Sequence, residues 1–300
     1  MATLYTHRTE NISKTWALMF VFLCIVIAIG WAVSLYFNNP GLLVVAVVLA
    51  VAMNIFSFWF SDTIVIAMAG ATPADGPEYT ELNHIVENLA ITAGLPKPKV
   101  YVVDDPAPNA FATGRSATHA SVAVTSGLLA ILSKTELEGV LAHELSHVGN
   151  RDMVVSTVAV VLVGFITILA DYFWRATLWG GLGRDKEEKQ NPLVMGIAIV
   201  LIVLAPIIAT LLQLAISRRR EFLADASGAL LTRYPEGLAS ALQKIGSFQS
   251  PMLRANNATA HLYISNPFGP GAARSFITRI FSTHPPIEDR IKALLGNRVV

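Results

Sequence analysis

The 300-residue sequence contains one cysteine, Cys24, so it has no internal disulfide framework and no set of thiolates to hold a metal. Charge is scarce too: 14% of residues are Asp, Glu, Lys or Arg, against about 25% in ordinary soluble domains. With 53% hydrophobic residues and a mean hydropathy of +0.53, the composition excludes a single soluble globule. Neither sign of charge dominates, since 22 basic residues face 21 acidic ones, and this balance gives no general pull toward nucleic acid. Internal repeats and low-complexity tracts are also missing. Any metal here must be held by His and carboxylates.

Long uncharged runs are what the chain has instead. Residues 16–37, 41–60, 153–170 and 193–216 carry no charged side chain over 22, 20, 18 and 24 positions. At about 1.5 Å per helical residue these runs approach or exceed the ~30 Å of bilayer hydrocarbon. A soluble core helix would carry a polar stripe that they lack. The first two are joined only by Asn38, Asn39 and Pro40 and read as a membrane hairpin. The first run is too long for a cleaved signal peptide and no small-residue cleavage site follows, so it reads as a retained anchor. The second pair reads as another hairpin. Residues 153–170 are short and hold Ser156 and Thr157, which leaves a partial or re-entrant insertion open.

Basic residues set the orientation. Arg8 and Lys14 precede the first run, the first hairpin loop has none, and Arg218, Arg219 and Arg220 follow the fourth. The face holding both termini is therefore expected to be cytoplasmic, in a cell inner or plasma membrane. The chain divides into an N-terminal membrane hairpin (1–60), a polar domain in two pieces (61–152 and 217–300), and a second hairpin (153–216) with a loop at 171–192. In the polar pieces, residues 77–95 have helical spacing, and 99–103 and 120–125 are β-branched runs suited to strands. A turn-rich stretch, 104–118, separates the two strands. Thr135 and Glu138 suggest a capping box for a helix ending near Asn150. Further helices are expected at 221–231 and 236–248 and after Pro286, with an irregular stretch at 256–271.

The chemistry centres on His143-Glu144-Leu145-Ser146-His147. On a helix, imidazoles four residues apart share one face and can chelate a single Zn²⁺, while Glu144 is offset enough to reach a water on the metal as general base. A coincidental pair on an amphipathic helix is the competing reading, but the neighbouring Val140, Leu141 and Val148 leave the polar group awkward without a role. A zinc hydrolase needs a third protein ligand and one open position. Glu221 supplies a candidate, and Asp225, one turn on, could accept the outer N–H of a ligating His. The alternative is that Glu221 only pairs with the preceding arginines. Two membrane runs, an even number, separate His147 from Glu221, so both lie on one face. The active helix ends beside residue 153, which places the centre near the bilayer.

These features resemble the HtpX-like family of membrane-bound, heat-shock-associated zinc metalloproteases and, more distantly, the CaaX prenyl proteases of the same peptidase family. The likeness spans nearly the whole chain: the first hairpin, residues 109–114, the His143 helix running into a membrane pair, Glu221 with Asp225, and Thr283-His284-Pro285-Pro286 with Arg290. The resemblance implies one Zn²⁺ per chain on His143, His147 and Glu221, Glu144 as general base and acid, and stress-linked quality control of membrane proteins. It also implies that Asn109, Ala110, Phe111 and Ala112 line the cleft as an edge to which an extended polypeptide adds as a strand. A plain turn is the alternative there. In the same pattern His284 donates to the oxyanion and Arg290 supports the site, where a helix cap is the competing reading of His284.

His119 and His261 are read as surface residues, and 254–274 as a lid. The expected fold is a mainly α integral membrane protein: four transmembrane helices in two hairpins, with a zincin-like α+β metalloprotease domain carrying a small β-sheet. Expected partners are polypeptide substrates, chiefly membrane proteins, and the lipid bilayer. A prenyl-protein protease would be expected to have more than four membrane helices, and a scaffold with a structural zinc would be expected to have four closed ligands.

Overall fold

A computed structural model describes residues 4–36, 38–162, 218–255, 259–269 and 285–296. The first two runs become helices α1 (Leu4–Tyr36) and α2 (Pro40–Ala69), of 33 and 30 residues. Each is about 45–50 Å long and outreaches the ~30 Å of hydrocarbon, so both extend into the polar domain. Asn38 turns the chain with a φ of 48°. The Asn39 side chain then caps α2 by accepting the Gly41 N–H at 3.0 Å, ahead of Pro40 in the first turn. Gly30 leaves the two helices in contact at Ala46, with no room for a Cβ. Trp16, Phe20, Trp31, Val44, Val48 and Trp59 point outward, the inverse of a soluble helix pair.

Gly70, at a φ of 65°, ends α2 and leads directly into strand β1 (Ala71–Pro73). Helix α3 (Thr80–Thr92) precedes β2 (Lys99–Val103), β3 (Ala110–Ser116) and β4 (His119–Thr125). The sheet order is β1-β2-β4-β3, with β2 parallel to β4 and the outer strands antiparallel, so β3 is an edge. Strand alternation feeds two cores. Val100, Val102, Val122 and Val124 face Leu82, Val86, Val140 and Leu141. Val103, Phe111 and Ala123 face Val65, Ile66 and Ala69 at the end of α2.

Strand β3 occupies what the sequence suggested was a turn-rich stretch. Its Ala, Gly and Ser residues have weak strand preference and dilute Phe111 and Thr113, so the ladder to β4 decides its conformation. After the short α4 (Ser126–Ile131) comes α5 (Lys134–Asn150), which is capped two positions earlier than expected. Ser133 is the cap, and its N–H donates to Glu136 Oε2 at 2.7 Å. Glu136 is buried at 6% exposure and also receives Ser240 and Lys244.

Arg151, at a φ of 59°, separates α5 from helix α6 over Asp152–Leu162. Val155, Val158, Ala159 and Leu162 pack on Leu18 and Phe22 of α1, so the start of the third apolar run lies inside the protein. The rest of that run, the fourth run, the loop 171–192 and all of 270–284 lie outside the described residues. Helices α7 (Arg218–Thr232), α8 (Pro235–Ser247) and α9 (Ile287–Leu295) follow, and the described residues are mostly helical with one small mixed sheet.

Candidate metal centre

Helix α5 presents His143, Glu144 and His147 toward α7, whose first turn brings in Glu221. Gly228 makes this approach close: a Cβ there would lie 2.9 Å from the His143 backbone nitrogen. The two Nε2 atoms are 3.2 Å apart. Glu221 Oε2 lies 3.7 Å from the first and Oε1 3.6 Å from the second. These three residues are the group of metal-ligating side chains found among the described residues, with ligand atoms all within 4.8 Å of one another.

The outer nitrogens are already engaged. His143 Nδ1 lies 2.9 Å from Asp225 Oδ1, and His147 Nδ1 lies 3.2 Å from Asp152 Oδ2. Carboxylates accept, so each Nδ1 carries a proton, and each ring, once its Nε2 is deprotonated, turns that lone pair inward. Two lone pairs and a carboxylate converging on one point repel each other unless a cation lies between them. A tetrahedral zinc with bonds of about 2.0–2.1 Å holds its nitrogen ligands about 3.3 Å apart, so the donor set fits such an ion.

Arg290 is fully buried and binds the far side of Asp225, Nε to Oδ2 at 2.8 Å and Nη2 to Oδ1 at 2.7 Å. Its Nη1 donates to the Ile264 carbonyl at 3.0 Å and lies 4.0 Å from Glu221 Oε2. Burial would raise the Asp225 pKa, but Arg290 and His143 hold it down at about 2. Burial, helped by Arg290, pushes His143 down toward its neutral form. Burial also opposes charge on His147, but Asp152, Glu221 and Glu144 lift it to about 9. Glu144 is pushed up to about 7, chiefly by burial and then by Glu221. The excess of carboxylates makes the pocket favourable to a cation.

The edge residues divide. Asn109 donates from Nδ2 to the Ser265 carbonyl at 3.1 Å and accepts the Ser265 N–H at 3.2 Å. The Ala110 carbonyl accepts the Ile264 N–H at 2.9 Å. Phe111 is buried edge-on against Tyr263, centroids 5.1 Å apart. Two positions beyond Ala110, the backbone N–H of Ala112 faces the Glu144 carboxylate. Of the four, Ala112 is the residue whose backbone reaches the site. His284 lies outside the described residues. His261, expected at the surface, is 8% exposed with Nε2 3.4 Å from the Ser156 carbonyl, while His119 is exposed as expected. The sequence reading missed Asp152, although a carboxylate five residues beyond His147, just past the helix end, is within reach of that ring once the chain reverses at Arg151.

Residues 78–298 match the model of peptidase family M48. The chain is similar to the "Protease HtpX homolog" of Caldanaerobacter subterraneus subsp. tengcongensis, 45% identical over 297 residues and 97% of each chain. It is likewise similar to that of Pyrococcus abyssi, 48% identical over 283 residues and 94% of each. The crystal structure of S. mikatae Ste24p matches with a TM-score of 0.51 at 19% identity, covering 97% of this chain and 67% of that one, which is a likeness of fold.

Proposed function

The chain belongs to peptidase family M48, and from that membership we propose a membrane zinc endopeptidase that hydrolyses peptide bonds of misfolded or damaged membrane proteins. The observation that carries this reading is the convergence of the two histidine Nε2 atoms, 3.2 Å apart, on Glu221, with Glu144 one residue along the same helix.

In this reading His143, His147 and Glu221 hold one zinc ion per chain, which when bound lowers the pKa of a bound water to about 7 and polarises the scissile carbonyl. Glu144, raised to about 7 by burial, accepts a proton from water and returns it to the leaving amine. Asp225, gripped by Arg290, fixes the tautomer and rotation of His143, and Asp152 does the same for His147. Ala112 offers the backbone edge along which an extended polypeptide pairs, so recognition depends little on side chains. His284 is assigned the oxyanion contact by the resemblance alone.

Helices α1 and α2, with their outward Trp, Phe and Val, support a membrane hairpin. We extend the reading to four crossings in two hairpins, with residues 61–152 and 217–300 forming one cytoplasmic protease domain near the bilayer surface. Membrane proteins with cytosolic loops or unfolded tails are then the natural substrates. No observation favours the prenyl-protein alternative over this one.

The test is cleavage of casein by the full chain in detergent, with and without zinc, beside Glu144→Ala. Zinc-dependent cleavage that is lost in the variant, with zinc still bound, is the expected result. Equal zinc binding with cleavage by neither protein would favour a scaffold.

A further inference from the structure

Asn11 stands seven residues before Leu18 on the face of α1 that packs inward, in a stripe with Thr15, Leu18 and Phe22. It is 3% exposed and lies next to the candidate metal centre. Its Nδ2 donates to Asp152 Oδ1 at 2.6 Å and to the Asn150 carbonyl at 3.0 Å. Its Oδ1 accepts from Arg220 Nη1 at 3.2 Å, which fixes the orientation of the amide. One side chain on the N-terminal membrane helix thus ties together the end of α5, the start of α6 and the residue preceding Glu221.

Asp152 divides its carboxylate between two tasks. Oδ2 takes the His147 Nδ1–H at 3.2 Å, and Oδ1 takes Asn11 at 2.6 Å, with Arg220 Nε 3.8 Å away. Without Asn11, Oδ1 would keep, among the described residues, that distant cation alone, and the carboxylate would be free to rotate away from His147. The position needs two donors and one acceptor in a fixed plane. Asn supplies them, Asp lacks the donors and Leu lacks all three.

Resting on the zinc reading above, we infer that Asn11 is a positioning residue of the metal centre, acting through Asp152 on His147 and making the first membrane helix part of the catalytic unit. Apolar packing of Leu18 and Phe22 on α6 docks α1, and Asn11 converts that docking into a set orientation for one metal ligand. Partners of ligating histidines typically account for 10- to 100-fold in metal affinity, and a residue one step further out is expected near the lower end.

The experiment uses the full chain in detergent. Zinc affinity is measured by chelator competition, and the ligand field by the visible spectrum of the Co²⁺-substituted protein, for the parent, Asn11→Leu, Asn11→Asp, Asp152→Ala and the Asn11→Leu/Asp152→Ala pair. Asn11→Leu and Asn11→Asp should each bind zinc about tenfold more weakly with a shifted Co²⁺ band. The pair should be no weaker than Asp152→Ala alone, because both changes break one connection. Losses that add in the pair, or an Asn11 variant with parental affinity and spectrum, overturn the inference while leaving the zinc reading intact. If Asn11→Leu fails to fold, Asn11→Asp, which keeps the size and the acceptor, decides by the same readouts. A parent protein whose zinc binding does not require His147 overturns both readings.

Discussion

Arg290 holds Asp225 in a buried fork of two hydrogen bonds, 2.8 Å from Nε and 2.7 Å from Nη2, and Asp225 in turn meets His143 Nδ1 at 2.9 Å. The guanidinium of α9 therefore reaches the candidate metal centre through one carboxylate. Arg290→Leu strands that carboxylate away from water, and losing one partner of a buried pair typically costs about 3–5 kcal/mol. Arg290→Lys should recover little, since an ammonium cannot span both oxygens and the Ile264 carbonyl. Denaturant titration in detergent checks both; parental stability in Arg290→Leu would refute the argument.

The clustering of His143, His147 and Glu221 was legible in the sequence because the spacing within each helix is local. His143 and His147 share a helix face by period alone, as do Glu221 and Asp225. Asp152 and Asn11 were not legible, since their partnership depends on the reversal at Arg151 and on α1 beginning at Leu4, well ahead of its apolar run. Strand β3 was hidden for a different reason: its conformation comes from the ladder to β4, and in Ala-Phe-Ala-Thr-Gly the strand-favouring Phe111 and Thr113 are diluted by Ala and Gly.

Glu136 should set the acid limit of stability. Burial alone would raise its pKa, yet Lys244, Ser240 and the Ser133 N–H together hold it at about 2, below the ordinary 4.5. A depressed carboxyl contributes its stabilisation fully above the unfolded value and loses it as pH falls from about 4.5 toward 2. Because Lys244 is 43% accessible and partly screened, the contribution is about 2 kcal/mol. Glu136→Gln should be less stable at pH 7 and lose less than the parent on acidification to pH 3. Parallel losses in denaturant midpoint would contradict this.

Gly228→Ala sets two magnitudes against each other. Alanine in a helix interior gains up to about 1 kcal/mol over glycine. Here its Cβ would meet the His143 backbone, 2.9 Å from N and 3.1 Å from Cα, and backbone cannot yield as a side chain can. Overpacking of about 1–3 kcal/mol wins, and α7 must retreat from α5, carrying Glu221 with it. Lower stability together with weaker zinc binding is expected. Gly149→Ala, whose nearest neighbour is Leu95 Cδ1 at 3.8 Å, should be neutral or stabilising by thermal melt.

Asn109→Ala separates a strap from a substrate contact. The resemblance assigned Asn109 to substrate, yet its amide is 1% exposed and exchanges two hydrogen bonds with Ser265, beside the Ile264 backbone that Ala110 and Arg290 hold. Truncation leaves the Ser265 N–H and carbonyl without those partners, at about 1–3 kcal/mol. Since the lost groups face Ser265, KM for an unfolded polypeptide should change by less than about twofold while stability falls. A tenfold rise in KM with parental stability would return Asn109 to the substrate edge. The expected outcome leaves the Ala112 backbone as the place where an incoming strand begins to pair.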